Sequence, residues 1–195
     1  MLNFPNKKYN IIYADPPWSY NENWGNGAVH HHYDTMSFED ICNLPINKIT
    51  DENCHLYLWY TNPFVREAHK LCDAWGFEYK QTLTWVKHST YKKFETGLGY
   101  YFRGATEHIL FGVKGKLPRL RKDLLNVLET EGNAVYEINS RKHSEKPKVF
   151  REIIVAHSGD LPRIELFSRH KLKGWDCWGD ETSPEEEQIE LFNRG

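Results

Sequence analysis

The stretch that decides the fold is residues 9–18, YNIIYADPPW, close to the start of the chain. Its first six residues are rich in β-branched and aromatic side chains, which predicts a strand. Proline has no backbone N–H to offer a central strand, so the strand must end where Asp15, Pro16 and Pro17 begin a loop. Ligands of α/β proteins gather at the carboxyl ends of the strands, so we expect Asp15 to lie at a binding site.

The rest of the chain alternates between strand and helix patterns, which predicts an α/β sandwich. Asn62 and Pro63 mark the start of an amphipathic helix, and Ser37 with Asp40 marks the start of a shorter one. Residues 114–131 are predicted to form a basic loop. The predicted strands are 54–60, 77–87, 106–113, 134–138, 163–167 and 175–178, and the predicted helices are 37–43, 63–75 and 144–158.

Length and composition are typical of one globular domain. The chain has 195 residues, of which 39% are hydrophobic and 27% are charged. These values predict a single domain over residues 1–195, with an acidic tail from about residue 180. We recognise no signal peptide and no apolar run of membrane-spanning length, so we expect a cytoplasmic protein. The four cysteines have no CxxC spacing, which predicts reduced thiols rather than a zinc site or disulfides.

The loop after the first strand carries two hydrogen-bond acceptors beside an aromatic ring. This arrangement suits a reaction at the 6-amino group of adenine. That group is a poor nucleophile, because its lone pair is delocalised into the ring, so a catalyst needs acceptors that hold its hydrogens. The carboxylate of Asp15 and the carbonyl of Pro16 would accept its two hydrogens, and Pro17 would help to hold that carbonyl in place. Trp18 would stack on the base, which contributes roughly 1–3 kcal/mol and largely offsets the cost of flipping a base from a duplex. Taken alone, Asp-Pro-Pro after a strand is also compatible with an ordinary turn.

An ordered set of motifs follows this loop along the chain. With Asp15-Pro16-Pro17-Trp18 at its head, the chain resembles the MT-A70 family of S-adenosylmethionine-dependent adenine methyltransferases over residues 9 to 181. The resemblance implies a Rossmann-like fold with a mostly parallel sheet, helices on both faces, and a permuted order in which the catalytic loop comes first. The further motifs are Tyr33 to Ser37, Leu58-Trp59, Trp85-Val86-Lys87, Glu107-His108, Gly112 to Gly115, Lys146-Pro147, Ile164 to Arg169 and Gly174-Trp175.

The resemblance also implies roles for individual residues. Residues 15–18 match the catalytic loop, and Tyr33 lies where the family contacts the acceptor base. Asp15 would also meet the methionine end of the cofactor, S-adenosylmethionine. Lys146 matches a lysine near the methionyl carboxylate and the substrate. The other cofactor contacts that the resemblance implies are Phe167, Ser168, Arg169, His170, Asp180 and Glu181.

Two positions depart from the family pattern. No proline separates Arg169 from the next histidine, so His170 or Lys171 would contact the ribose, and we favour His170. Asp180 and Glu181 stand where the family can show an Asn-Gln pair. Carboxylates still suit this role, because they accept hydrogen bonds from ribose hydroxyls.

Residues 114–122 contain five basic side chains and no acidic one. A run of like charge is usually a solvated face. This run is predicted to lie beside the substrate cleft, and phosphate contacts dominate affinity for nucleic acids. Arg119, Arg121 and Lys122 are therefore expected either to contact nucleic acid or to form a solvated face.

The leading functional hypothesis is methylation of the 6-amino group of adenine in nucleic acid, with DNA favoured over RNA because the chain holds little beyond a catalytic core. The alternatives are an RNA adenine methyltransferase of the same family and a non-catalytic nucleic-acid-binding or scaffold subunit. The intact Asp15-Pro16-Pro17-Trp18 loop argues against the second alternative. His30, His31 and His32 lack further ligands at metal-site spacing, so we expect no metal. A homodimer or a partner subunit is expected to complete substrate recognition.

Overall fold

The computed structural model of the protein describes residues 4–18, 36–88, 94, 96, 101–130, 146–168 and 171–179. These residues form strands and helices, with three successive strands before the last helix and short 3-10 turns at Ile46–Lys48 and Asn62–Phe64. The strands are β1 (Tyr9–Ala14), β2 (Thr50–Tyr60), β3 (Glu78–Lys87), β4 (Thr106–Lys114), β5 (Val127–Thr130), β6 (Arg163–Leu166) and β7 (Asp176–Trp178). The α-helices are α1 (Phe38–Cys42), α2 (Val65–Ala74) and α3 (Val149–Ser158).

Within the described residues, the strands form one sheet in the order β5-β3-β4-β2-β1-β6-β7. Neighbouring strands are parallel, except that β4 is antiparallel to β2 and to β3. The strand that leads into Asp15 is the first in the chain, and β6, which ends before Phe167, lies beside it in the sheet. The predicted Rossmann-like fold with its permuted order is therefore confirmed.

Side chains of the central strands alternate between two apolar layers, because successive residues of a strand face opposite sides of a sheet. Ile12 and Leu58 pack in the layer that α1 and α2 cover, whereas Tyr13 and Trp59 pack in the layer that α3 covers. Helices therefore lie on both faces of the sheet, as predicted. Trp59, Trp75 and Trp85 are buried, which confirms their assignment to the core.

The predicted helix starts have two outcomes. Ser37 is the N-cap of α1, and its hydroxyl accepts a hydrogen bond from the backbone N–H of Asp40 at 3.0 Å. The prediction for Asn62 is wrong, because residues 62–64 form a 3-10 turn and Phe64 is the N-cap of α2. The Asn62 side chain instead contacts Nε2 of His108 on β4 at 2.9 Å, a tertiary partner that the local sequence does not reveal.

Two other predicted boundaries are wrong. Residues 127–130 form strand β5 within the region predicted as a basic loop, because parallel pairing with β3 supplies their hydrogen bonds. Helix α3 begins at Val149 rather than at residue 144, and the described residues 146 and 147 before it are not helical. Residues 144 and 145 and the predicted strand 134–138 lie outside the described residues.

The four cysteines are free thiols, as predicted. Burial raises the pKa of Cys54 and of Cys72 to about 12, so both thiols stay protonated at neutral pH. In the part of the chain that the structure describes, no helix combines the length and the apolar character needed to cross a membrane.

The strand directions define two edges of the sheet. At one edge, which we call the carboxyl edge, β1, β2, β3 and β6 end and the antiparallel β4 begins. At the other, which we call the opposite edge, β4 ends and α3 ends. The nine residues of β4 separate the two edges by roughly 30 Å, at about 3.3 Å per residue.

Candidate active site

Asp15 and Phe167 lie side by side at the carboxyl edge. Ala14 at the end of β1 pairs in register with Leu166 at the end of β6, so the next residue of each strand enters the same crevice. Strand β2 lies on one side of β1, and strands β6 and β7 lie on the other side. The strand order therefore reverses between β1 and β6, which is where this crevice lies. Open α/β sheets bind their ligands at such a point.

A row of alternating charges extends from Asp15 across this edge. The ammonium of Lys146 lies 2.8 Å from Oδ2 of Asp15 and 3.3 Å from Oε2 of Glu107. The other oxygen of Glu107 accepts a hydrogen bond from Lys87 at the end of β3. Two carboxylates and two ammonium groups therefore alternate across the ends of β1, β4 and β3 and the residues before α3.

Burial and pairing act against each other on these charges. Burial is the largest single influence on the pKa of Lys146 and lowers it, but Asp15 and Glu107 together outweigh burial and the pKa is raised. Burial likewise raises the pKa of Glu107, and Lys146 with Lys87 outweighs it, so that pKa is lowered. Both groups are therefore charged at neutral pH. The Lys146 ammonium also packs against the ring of Trp59, at 5.2 Å from the ring centroid.

Exposure distinguishes the members of this row. The side chain of Lys146 is 9% exposed, whereas that of Asp15 is 34% exposed. A carboxylate accepts about four hydrogen bonds, so the contact with Lys146 leaves Asp15 with capacity for a second partner. Asp15 is thus a carboxylate that is anchored from the protein side and reachable from the crevice.

The loop after Asp15 is held in a tight turn. The carbonyl of Pro16 accepts a hydrogen bond from the N–H of Trp18 at 2.8 Å. The indole N–H of Trp18 donates to the carbonyl of Trp59 at 3.1 Å, and its ring stacks on Phe64 with centroids 5.3 Å apart. One face of the Trp18 indole is therefore occupied by Phe64, and the carbonyl of Pro16 keeps one lone pair beyond its turn bond.

Backbone at the ends of β6 and β7 is closely packed beside this loop. Phe167 has a φ of 62°, which is uncommon for a residue other than glycine. The N–H of the buried Ser168 donates to the carbonyl of Trp178 at 3.2 Å. A Cβ on Gly179 would lie 2.5 Å from the carbonyl oxygen of Ser168, so only glycine fits there. Strained backbone of this kind is typical of ligand sites.

The structure brings together Asp15, Lys146, Phe167 and Ser168 of the predicted site, next to the loop of Pro16, Pro17 and Trp18. The structure does not bring the predicted basic residues, Arg119, Arg121 and Lys122, to this crevice. The remaining predicted residues, Tyr33, Arg169, His170, Asp180 and Glu181, lie outside the described residues.

The predicted position of the basic segment beside the cleft is wrong. The segment follows the antiparallel strand β4, which ends at the opposite edge. There the N–H of Leu120 bonds to the carbonyl of His157 at the end of α3. Arg119, Arg121 and Lys122 are exposed at that edge, and a role for them in nucleic-acid binding stays a prediction.

Glu107 and Lys87 were not predicted as site residues, although the motifs at the ends of their strands include them. A usable signal was present in the sequence. A charged residue that ends β3 and one that begins an antiparallel β4 must meet at the same edge of the sheet. Only the strand order, however, places both of them near Lys146.

Comparison with known proteins gives one matching family model and relatives named as methyltransferases or as a methyltransferase subunit. The model of the MT-A70 family matches residues 9–181. The chain is 33% identical to the Type II methyltransferase M.MunI of Mycoplasma sp., over 98% of this chain and 84% of that protein. It is 29% identical to the human N(6)-adenine-specific methyltransferase METTL4, over 93% of this chain and 39% of that protein. It is 32% identical to the N6-adenosine-methyltransferase non-catalytic subunit MTB of Arabidopsis thaliana, over 57% of this chain and 15% of that protein.

These matches differ in how much of the relative they cover. The chain spans most of M.MunI but well under half of METTL4 and of MTB, which are longer proteins. The family match begins at the first residue of β1 and extends past β7, so it includes every strand of the described sheet and the whole charged row. The chain belongs to the MT-A70 family.

Proposed function

We propose that the protein transfers a methyl group from S-adenosylmethionine to the 6-amino group of adenine in DNA. The observation that carries this proposal is the position of Asp15. Its carboxylate is anchored by Lys146 at 2.8 Å and lies one residue beyond the register pair of β1 and β6, at the binding crevice of the sheet. The relatives named as adenine methyltransferases support the choice of reaction.

The residues around the crevice fit S-adenosylmethionine. The sharp backbone turn at Phe167 and the glycine-only contact between Ser168 and Gly179 form a close-packed backbone surface at the end of β6. We assign Phe167 and Ser168 to the adenosine part of the cofactor, and Asp15 with Lys146 to its methionine part. From the sequence we assign Arg169, His170, Asp180 and Glu181 to the same site.

The chemistry follows from the acceptors at the end of β1. S-adenosylmethionine, when bound, supplies an electrophilic methyl group on a positively charged sulfur. Asp15 and the Pro16 carbonyl accept the hydrogens of the adenine amine and direct its nitrogen lone pair toward that methyl group. The nitrogen bonds to the methyl carbon as the C–S bond breaks, and the electron pair of that bond stays on the sulfur, which becomes uncharged. The nitrogen then carries an extra proton, which passes to Asp15 and then to water. Lys146 keeps the Asp15 carboxylate in place throughout.

The base itself is held by aromatic groups in this proposal. Trp18 has one face against Phe64, which fixes the orientation of the indole, and we assign its remaining surface to the base. Tyr33, from the sequence, contacts the same base. We favour DNA over RNA because the chain covers 84% of a Type II methyltransferase. A single domain, a homodimer or partner subunit, and a cytoplasmic location stay predictions from the sequence.

The test compares Asp15→Asn with a matched control, Asp73→Asn, which changes an exposed aspartate on α2. Each purified protein is incubated with S-adenosylmethionine and with DNA or RNA of random sequence, and the modified nucleosides are identified by mass spectrometry. We expect N6-methyladenine in DNA from the parent protein and from Asp73→Asn, and a loss of at least a hundredfold in rate with Asp15→Asn.

Three results would contradict the proposal. A folded Asp15→Asn protein with near-normal rate would remove Asp15 from the reaction. Methylation of RNA alone would replace DNA as the substrate. A folded parent protein that binds nucleic acid but methylates neither pool would indicate a non-catalytic subunit.

A further inference from the structure

A cavity of about 490 Å³ lies at the opposite edge of the sheet, on the face that α3 covers. Sites for small molecules have volumes of roughly 300–1,000 Å³. The floor of this cavity is the part of the sheet where β3 begins and β4 ends. Its walls are the end of α3 and the segment from Leu117 to Asn126. The cavity is therefore separate from the crevice that holds Asp15.

The floor of the cavity is apolar and aromatic. Leu83, Phe111 and Val113 face it and remain partly exposed, whereas the neighbouring Tyr57 on β2 is buried beneath the end of α3. The ring of Phe111 lies 5.1 Å from that of Tyr57 and 5.0 Å from that of His55. A partly exposed phenyl ring that other rings support offers a flat surface to a planar ligand.

The rim of the cavity is basic. Lys80 and Arg119 are both exposed there, and Arg121 and Lys122 follow on the same segment. Lys80 pairs with Glu78 and Arg121 pairs with Asp123. For Arg119, the described residues provide no carboxylate within salt-bridge distance. Arg119 thus presents a positive charge beside the apolar floor, which favours a ligand that carries an anion.

Buried hydrogen bonds hold the wall of the cavity in one arrangement. Nε2 of His55 lies 3.1 Å from the carbonyl of Leu117, which accepts only, so Nε2 carries the hydrogen. Burial lowers the pKa of His55 to about 4, so its Nδ1 is unprotonated at neutral pH and accepts from Ser158 at 2.8 Å. Ser158 then accepts from Tyr57 at 2.7 Å, and Tyr57 accepts from Nδ1 of His157 at 2.8 Å. The direction of every bond is thus determined, and a fully satisfied buried network of this kind makes the wall of the cavity rigid.

From these features we infer that the cavity is a second binding site and that its ligand is a nucleotide. The base lies on Phe111 and the phosphate is held by Arg119, which the salt bridges of the described residues leave available. An acidic peptide would satisfy the basic rim, but it would reach the aromatic floor only through a separate aromatic side chain, whereas a nucleotide carries a planar base and an anion in one unit. The same chemistry is offered by a free mononucleotide and by a nucleotide within a single strand, because each has a base beside a phosphate. The inference does not depend on the reaction assigned to Asp15.

The experiment uses ligands without adenine, the base assigned to the proposed active site, and it reads binding separately at the two edges of the sheet. dTMP, thymidine, inorganic phosphate and a single-stranded thymidine hexamer are titrated into the full chain, and binding is followed by NMR shifts of backbone amides. We expect saturable shifts at Phe111 and Arg119 with dTMP, and affinity at least tenfold weaker for thymidine and for phosphate. Arg119→Gln should weaken dTMP binding at least tenfold. The matched control Arg121→Gln, which removes a guanidinium already paired with Asp123, should change it less than twofold.

The outcomes separate this inference from the proposed function. Tighter binding of the hexamer than of dTMP, measured from the shifts at Phe111 and Arg119, would assign the site to a nucleic-acid strand, and the reverse would assign it to a free nucleotide. Phosphate binding as tight as dTMP binding would leave only an anion site and overturn the inference. So would shifts confined to the carboxyl edge, or preferential binding of a peptide with the sequence of residues 180–195. Asp15→Asn should leave dTMP binding unchanged even if methyl transfer is lost.

Discussion

Glu107→Gln tests whether the row of alternating charges is an energetic unit. The substitution keeps the shape of the side chain but removes the negative charge between Lys87 and Lys146. Their side chains are 23% and 9% exposed, and that of Glu107 is 14% exposed, so water screens this row poorly. Removal of one partner from a buried ion pair costs about 3–5 kcal/mol.

The expected loss is smaller than that range. Lys146 keeps its contact with Asp15, and glutamine keeps one oxygen that accepts a hydrogen bond. We therefore expect the free energy of unfolding to fall by about 2–3 kcal/mol, which lowers the Tm of a chain of this size by roughly 4–12 °C. Urea unfolding followed by tryptophan fluorescence measures the first quantity, and a thermal scan measures the second.

The pH dependence of the free energy of unfolding provides an independent check that the charged form of Glu107 stabilises the fold. The pKa of Glu107 is lowered in the folded protein, because Lys146 and Lys87 outweigh the effect of burial. The unfolded chain therefore binds a proton more readily, and the stability that Glu107 contributes is present above about pH 4.3 and is lost as the pH falls below it. The difference in unfolding free energy between the parent protein and Glu107→Gln should shrink as the pH falls through this window.

The control for this prediction is Glu78→Gln. Glu78 pairs with Lys80 at 2.6 Å, but its side chain is 75% exposed. An exposed pair contributes less than about 1 kcal/mol, and salt screens it further. If Glu107→Gln destabilises the protein no more than Glu78→Gln does, the charged row does not stabilise the fold and the reasoning fails.

Three further predictions concern other parts of the molecule. Gly179→Ala should weaken S-adenosylmethionine binding at least tenfold in calorimetry, because its Cβ would lie 2.5 Å from the Ser168 carbonyl oxygen. The control Gly104→Ala places no atom within 4 Å of the new Cβ and should have no effect. Equal affinities of the two variants would place the cofactor elsewhere. Burial lowers the pKa of His55 to about 4, so the unfolded chain binds a proton at a higher pH than the folded protein does. The free energy of unfolding should therefore fall by about 2–3 kcal/mol between pH 6.5 and pH 4. A His55→Gln protein with the same pH profile in urea unfolding would refute this. Trp18→Phe removes the hydrogen bond to the Trp59 carbonyl and should cost about 1–2 kcal/mol in thermal unfolding, and an unchanged Tm would show that stacking on Phe64 alone holds the ring.

Local sequence predicted the elements whose signals are local. The strand before Asp15 is observed with its predicted bounds, and Ser37 caps α1 as expected. Both depend on short-range rules, namely the absence of an N–H in proline and the reach of a serine hydroxyl to the third residue of a helix. The assignments at Asn62 and at residues 127–130 were wrong because partners from β4 and β3, distant in sequence, decided those conformations.

The basic segment shows the same limit on a larger scale. Its charge is visible in the sequence, but its location depends on the direction of β4. A parallel strand would have delivered Arg119 to the edge that holds Asp15, whereas the antiparallel strand delivers it to the opposite edge. Sequence periodicity describes which face a residue takes on a strand and contains no information about strand direction.

The sequence by itself determined the α/β class, the family, and the end of β1 at Asp15, because each follows from residue types and their order. Only the tertiary structure decided that Lys146 bridges Asp15 and Glu107, and that a basic-rimmed cavity lies at the opposite edge of the sheet. The physical reason is that charge pairing and cavity shape depend on strand order and direction. Long-range hydrogen bonding and packing set these two properties, and no local pattern of residues encodes them.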